Sequence, residues 1–333
     1  MTPACLYCGG TDLEPLYSGV RDRLGYVPGE RAYHRCRACG SAVLVPLPTT
    51  ADLPGFYPPV YTFGLESGEA GGFKKWLSRG EYQVFYKPQY RAQARAVARA
   101  CGWPRGGGRL MLDVGCGRGL RLVEFRRLGF DVRGLDMVPD NVRYLREELG
   151  IPAECADITE ATTLYRPGTF DLITAFFVIE HVPDVRGALA GMFELLKPNG
   201  WLAAAVPLVD SLQARALGAK WAGVTEAPRH LSLPTQRGMT GAFRAAGFRD
   251  VSVLPDALLS CSAQLSLSLV TGAEMTYTYG ASRLRSLLAR AAAGAATFAV
   301  MPGVLAENHL LGRPGNGIVV GRKPAGQGGD RAS

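Results

Sequence analysis

The sequence predicts an α/β protein: a parallel sheet covered by helices on both faces, with a small cysteine-held ribbon before it and helical sequence inserted ahead of its last strand. Three observations predict this. From residue 109 to residue 254, short apolar runs alternate with helical stretches, the pattern of repeated strand–helix units. One of those runs opens directly into a glycine-rich turn, Asp113-Val114-Gly115-Cys116-Gly117-Arg118-Gly119. Two Cys-x-x-Cys-Gly pairs, Cys5/Cys8 and Cys36/Cys39, precede both.

In chain order, residues 1–47 hold the cysteine ribbon. Residues 48–80 are rich in proline, glycine and aromatics and read as a linker and candidate lid. The core spans 81–255. It opens with helical composition over 81–101, where Arg91, Arg95 and Arg99 stand four apart on one face. A strand over 109–114 ends in Asp-Val-Gly, and 120–128 is helical. Strand 131–136 follows, then a helix over 141–149 that Gly150 stops. Residues 153–156 make a third short strand, 170–176 a fourth, 185–196 a helix and 201–206 a fifth strand. A helix over 240–246 ends at Gly247, and 251–254 is a sixth strand. Residues 256–313 are a mostly helical insert. Residues 314–325 carry the last strand, and 326–333 read as a disordered tail.

The chain has 333 residues, 47% apolar and 20% charged, a globular composition with room for a sizeable core. Its net charge is +8, but the ribbon does not hold the excess. There Arg21, Arg23, Arg31, Arg35 and Arg37 balance Asp12, Glu14, Asp22, Glu30 and Asp52. A neutral ribbon without an alternating basic and aromatic stripe argues against a nucleic-acid partner. The N-terminus lacks a secretory pattern, so a cytoplasmic setting is expected. The nearest approach to a membrane span, 287–306, contains Arg290 and Pro302 and reads as a buried or surface helical segment. Stable membrane insertion is not expected; surface contact is the minority reading. The oligomeric state is not legible.

The glycine turn carries the strongest chemical signal. Glycines let the backbone turn tightly and approach a ligand, and the following helix presents unpaired N–H groups. A dinucleotide-binding turn would need a small residue where Leu120 stands, and a pyrophosphate would be repelled by Asp113. A cationic ligand would welcome that acid. S-adenosylmethionine, with a sulfonium and an amino group and no phosphate, fits. Asp136, at the end of the second strand, can accept ribose hydroxyls. Asp157, after the third, is placed to meet the adenine amine. The bland alternative is that each acid merely caps a turn.

These residues resemble the class I S-adenosylmethionine-dependent methyltransferases. Asp113 to Gly119 is similar to their first motif, Asp136 to their ribose acid and Asp157 to their adenine contact. Phe170-Asp171-Leu172-Ile173 with Glu180-His181-Val182-Pro183-Asp184 resembles the fourth-strand block of the subgroup that includes ubiquinone-type O-methyltransferases. Leu195-Leu196-Lys197-Pro198-Asn199-Gly200-Trp201 resembles the turn before their fifth strand. The resemblance implies a Rossmann-like sheet of seven strands, the last antiparallel. The cofactor set it implies is Asp113, Gly115, Cys116, Gly117, Gly119, Asp136, Met137, Asp157, Ile158 and Phe176.

Methyl transfer is an in-line displacement that needs positioning, and a base where the acceptor carries a proton. His181, beyond the fourth strand, is the candidate base, with Glu180 orienting it. His230 lies after the fifth strand, where this fold places substrate-facing loops. Arg229 is expected to receive a substrate phosphate or carboxylate, and Tyr57 and Tyr61 to close over the site. For each, a purely structural role is the alternative.

The cysteine pairs fit one tetrahedral zinc held by Cys5, Cys8, Cys36 and Cys39, closed by four thiolates and therefore structural. His34 is a spare nitrogen beside them. Cys101, Cys116, Cys155 and Cys261 lack ligand spacing and read as buried apolar residues. The segment from Cys36 to Pro48, followed by Phe56, Tyr57 and Tyr61, resembles the zinc module on bacterial methyltransferases of glycan and natural-product synthesis. The expected function is O-methylation of a small molecule or sugar in such biosynthesis. C- or N-methylation of a nucleotide-linked sugar is the alternative, ahead of an RNA methyltransferase or a non-catalytic binding protein.

Overall fold

The chain opens with antiparallel hairpins. In the computed structural model, which describes residues 4–57, 80, 82–270 and 283–325, β1 (Leu13–Arg21) pairs with β2 (Glu30–Cys36), and β2 with β3 (Ala42–Val45). Tyr61 and the tail from 326 lie outside the described residues.

The central sheet is built from β4 (Leu110–Val114), β5 (Asp131–Asp136), β6 (Ala153–Cys155), β7 (Phe170–Phe176), β8 (Leu196–Pro207), β10 (Arg249–Pro255) and β11 (Asn316–Arg322). Its order is β10-β11-β8-β7-β4-β5-β6. From β8 to β6 the strands are parallel, whereas β11 is antiparallel to both its neighbours. β4 and β7 are buried almost throughout, as central strands covered on both faces must be. The predicted seven strands and antiparallel last strand are all present.

One face is covered by α1 (Lys87–Ala100), α2 (Leu120–Arg127) and α3 (Pro139–Glu147), through Val97, Phe125 and Leu145. The other is covered by α5 (Val185–Leu195) and α8 (Gln236–Ala245), through Leu189, Met192 and Phe243. Between α3 and α5 lies the single turn α4 (Ala161–Leu164). Local chemistry starts the long helices: Asp184 accepts from Gly187 N and Thr235 from Gly238 N. Short helices α6 (Leu212–Leu217) and α7 (Ala222–Thr225) follow β8. The insert folds as α9 (Leu258–Leu269), α10 (Arg283–Ala299) and α11 (Met301–His309). Among the described residues no helix is long and apolar enough to cross a membrane.

The N-terminal ribbon is not a module hung on a linker, as a boundary at residue 47 implies. β3 takes a fourth strand from the core: Ala42 and Val43 pair with Leu233 and Ser232 of β9 (Ser232–Leu233). Tyr33 and Leu44 pack with Trp221, Val224 and Leu231, and Cys5, Tyr7 and Cys36 join the apolar cluster around α5. The ribbon buries its apolar side against the loops that follow β8, and so reaches the site.

Candidate active site

After β4 the chain adds β5 and β6 on one side, then returns to place β7 on the other. That reversal opens a crevice at the carboxyl ends of β4 and β7, where α/β sheets bind ligands. The turn after β4 has positive φ at Gly115 (65°), Gly117 (53°) and Gly119 (68°). A side chain at Gly115 would run into Val178, whereas at Gly117 a Cβ would meet no protein atom within 4 Å. The turn is held from β5: Gly115 N and Cys116 N donate to Leu135 O, and Gly117 N donates to Asp136 Oδ2 at 2.7 Å. The Cys116 thiol points back into the sheet, close enough that a Cβ at Gly134 would stand 2.8 Å from its sulfur. Only the backbone of Cys116 belongs to the turn.

The three acids differ. Asp113 is fully buried; Oδ1 accepts from Thr174 Oγ1 at 2.6 Å, and Oδ2 has no partner. Burial pushes its carboxyl up to about 6; the Arg121 guanidinium and the Thr174 hydroxyl pull it down, and the Asp136 charge pushes it up. Asp136 accepts from Gly117 N, Val138 N and Asn141 Nδ2. A carboxylate offers about four lone-pair sites, so one remains, not the two that a bidentate grip on a ribose would use. Asp157 caps the turn Ile158–Glu160: Oδ1 accepts from Thr159 N and Oγ1, and Glu160 bonds back to Asp157 N.

Of the remaining expected contacts, Met137 is exposed on the rim and Ile158 is half-buried. Phe176 lies under the Arg121 guanidinium, 3.9 Å from its ring centre, so that ring face is covered. Arg121 also donates to Gln93, which holds Asp256. This chain of polar groups had no signal in the sequence.

Beyond β7, the turn Ile179–His181 places Glu180 and His181 two and three residues after Val178, the side chain that packs on Gly115. His230 reaches the same spot from the loop before β9, its ring centre 4.9 Å from that of His181. A carboxylate oxygen of Glu180 and one ring nitrogen of each histidine lie within 4.8 Å of one another. Tyr57 Oη stands 3.2 Å from His181 Nδ1. Burial pushes Glu180 up to about 8, its own backbone N–H offsetting only part. Burial likewise holds His181 down at about 4 and His230 at about 3, so both rings are neutral at pH 7.

Arg229 does not await an anionic substrate. Its side chain is 0% exposed and pairs with Asp22, 1% exposed, and with Glu226, and donates to Phe56 O. A guanidinium buried this deeply needs its charges matched within the protein. The i,i+3 spacing of Glu226 and Arg229 hinted at one partner; nothing local marked Asp22. Tyr33, which donates to His230 O at 2.6 Å, was equally hidden.

The four ribbon cysteines converge, with all Sγ atoms within 4.8 Å of one another and the pairs Cys5–Cys39 and Cys8–Cys36 at 3.5 Å. Thiolates bound to one tetrahedral zinc at about 2.3 Å stand about 3.8 Å apart, so the cluster fits that ion after small adjustments. Cys101, Cys116 and Cys261 are buried, but Cys155 is exposed, contrary to the expectation, because β6 is the sheet edge.

A family described as "Methyltransferase domain" matches residues 83–253. The ubiquinone biosynthesis O-methyltransferase of Photorhabdus laumondii is 32% identical over 140 residues, 41% of this chain and 57% of that protein. Its counterpart from Colwellia psychrerythraea is 39% identical over 94 residues, 27% of this chain and 38% of that protein. The chain therefore spans less than two thirds of these relatives' own length. Among solved structures, a SAM-dependent methyltransferase from Archaeoglobus fulgidus aligns with a TM-score of 0.47 at 17% identity, covering 74% of this chain and 100% of that one.

Proposed function

The chain belongs to the methyltransferase-domain family, and from that premise we propose that it moves a methyl group from S-adenosylmethionine to a hydroxyl of a small organic acceptor. The observation that carries this reading is the convergence of Glu180, His181 and His230 just beyond Val178, the side chain resting on the glycine turn. Cofactor pocket and polar acceptor end thus share one wall. The curated relatives named above, O-methyltransferases over the matched region, support the choice of oxygen.

When bound, S-adenosylmethionine supplies a sulfonium methyl: the acceptor oxygen forms the C–O bond, the C–S pair returns to sulfur, and the hydroxyl proton is released. Asp113 places negative charge under the turn with one oxygen unpartnered, an asset toward a cationic ligand. Gly117 leaves the room. Asp136 has a lone-pair direction left for a ribose hydroxyl, and Met137, Asp157 and Ile158 line the adenine side. At the acceptor end, His181 Nδ1 faces Arg229 O at 2.9 Å and so carries the hydrogen, leaving Nε2 as a lone pair toward the hydroxyl. Tyr57 covers the same ring.

The four cysteines are read as a structural zinc site, which requires a reducing compartment. A sugar or natural-product acceptor is the finer reading, supported by the resemblance of the ribbon and linker. The test is a transfer assay with methyl-labelled S-adenosylmethionine across phenols, sugars and carboxylic acids. Label in a phenol or sugar ether is expected. A chain that binds the cofactor yet labels no hydroxyl would overturn the reading.

A further inference from the structure

The arginines spaced four apart in the first core helix take no part in the site, yet they belong to the stretch that sets the charge of the whole protein. In residues 87–130, ten lysines and arginines stand against Asp113 and Glu124; ten less two is +8, the net charge of the entire chain. Both acids are buried, at 0% and 3% exposure, so they are withdrawn from solvent. Along α1, Lys87, Arg91, Arg95 and Arg99 recur every four residues, about 6 Å apart at a rise of about 1.5 Å per residue. Gln93, Ala94, Val97 and Ala98 are the buried side of the helix, and Arg91, Arg95 and Arg99 are exposed. Arg91 reaches Glu124 at 3.4 Å, but Glu124 also pairs with Arg127 of α2, so one carboxylate is divided between two guanidiniums. Arg95 and Arg99 enter no ion pair or side-chain hydrogen bond among the described residues. Like charges four apart weaken a helix, a cost that an anionic partner would offset. A shallow groove of about 380 Å³ runs beside the row, lined by Gln83, Lys87, Pro88, Arg91, Ala92 and Arg95.

The chemistry of the face selects among anionic partners. Among the described residues, α1 and α2 expose no large apolar side chain, so the face has nothing to bury in a bilayer. Between the cations stand Ala92 and Ala96, which offer no ring for a base to stack on. Small residues beside a regular row of cations instead let another helix lie close, and glutamates four apart on that helix repeat at the same 6 Å step. We infer that the outer face of α1 docks a protein with an acidic helix. The row ends beside the crevice. Tyr90, three residues after Lys87, lies 5.0 Å from the Arg121 guanidinium, which in turn covers Phe176 at the carboxyl end of β7. A partner docked on α1 therefore stands at the mouth of the site, where it can present an acceptor tethered to it; this purpose rests on the methyl-transfer reading.

The experiment is fluorescence anisotropy of the full chain with two labelled helical peptides of one composition, the first with four glutamates spaced four apart, the second with the same residues shuffled. The ordered peptide should bind at least about tenfold tighter than the shuffled one, and its affinity should fall as salt is added. The double variant Arg95→Glu/Arg99→Glu should lose at least about tenfold of that affinity, and an unchanged Tm shows that it folds. Equal binding of the two peptides, or binding that the variant leaves intact, overturns the docking face. So does tighter binding of an RNA duplex, or of phosphatidylserine vesicles, than of the ordered peptide. A phenol tethered to the ordered peptide tests the purpose: kcat/KM should exceed that of free phenol in wild type and fall to it in the double variant. Peptide binding with no such gain overturns delivery. Peptide binding with neither free nor tethered phenol methylated keeps the docking face and removes only the methyl-transfer reading.

Discussion

Arg229 and Asp22 form an ion pair at 2.5 Å in which neither side chain is more than 1% exposed. It joins the loop that carries His230 to the end of the first ribbon strand. Asp22 also caps its own loop, accepting from Leu24 N, Tyr26 N and Val27 N. Removing one partner of a buried pair leaves an uncompensated charge and costs about 3–5 kcal/mol. Asp22→Ala is therefore expected to lower the unfolding free energy by about 3 kcal/mol or more in denaturant titration, and a loss under 1 kcal/mol would contradict the clamp.

Asp136 gathers three N–H groups and has one lone pair to give. Asp136→Ala should weaken S-adenosylmethionine binding by about tenfold to a hundredfold, the loss of a hydrogen bond to a charged group plus a loosened turn. Calorimetry with the variant checks this; unchanged affinity would remove Asp136 from the cofactor site.

Asp113 makes cofactor affinity depend on pH. Its folded value, raised to about 6 chiefly by burial, exceeds the usual 3.8. The folded chain therefore takes up this proton first, so the group's contribution to stability grows as pH falls from 6 toward 3.8 and is a cost above 6. Affinity for a cationic ligand runs the other way and should drop as pH falls through about 6. Arg121 and Asp136, the charged groups facing it, tune the midpoint. A pH series of binding constants should bend near 6 in wild type and be flatter in Asp113→Asn.

His181→Ala should slow turnover about a hundredfold or more and leave S-adenosylmethionine affinity within about twofold. The measurement is kcat beside a cofactor titration. Full activity would remove His181 from the reaction.

Cys36→Ser tests how far the ribbon supports the site. Because Tyr33 and Asp22 tie the ribbon to His230 and Arg229, the variant should lower Tm and lose methyl transfer together. Intact activity with a melted ribbon would show that the site stands alone.

What the sequence made legible was local. The glycine turn, the strand-end acids and the cysteine spacing each impose their geometry within a few residues; the alternation gives the strand–helix units, and the family resemblance the seven-stranded sheet with its antiparallel last strand. What stayed hidden depended on distant partners. Arg229 reads as a substrate anchor until Asp22 arrives from the other end of the chain. β9 is two residues long and carries no period to detect. The capping role of Asp157 is local in the same way: Asp157-Ile158-Thr159-Glu160 has the spacing of a capping box.

The pairing of Val43 with Ser232 sets an order on how the molecule is made. A ribosome releases the cysteine hairpins long before the strand that completes their sheet, and contacts between such distant segments form late. A nascent chain short of residue 232 displays Tyr33, Val43 and Leu44 uncovered, although all three are fully buried in the finished protein. Synthesis of the C-terminal half, rather than closure of the hairpins, therefore ends the window in which this chain is open to aggregation.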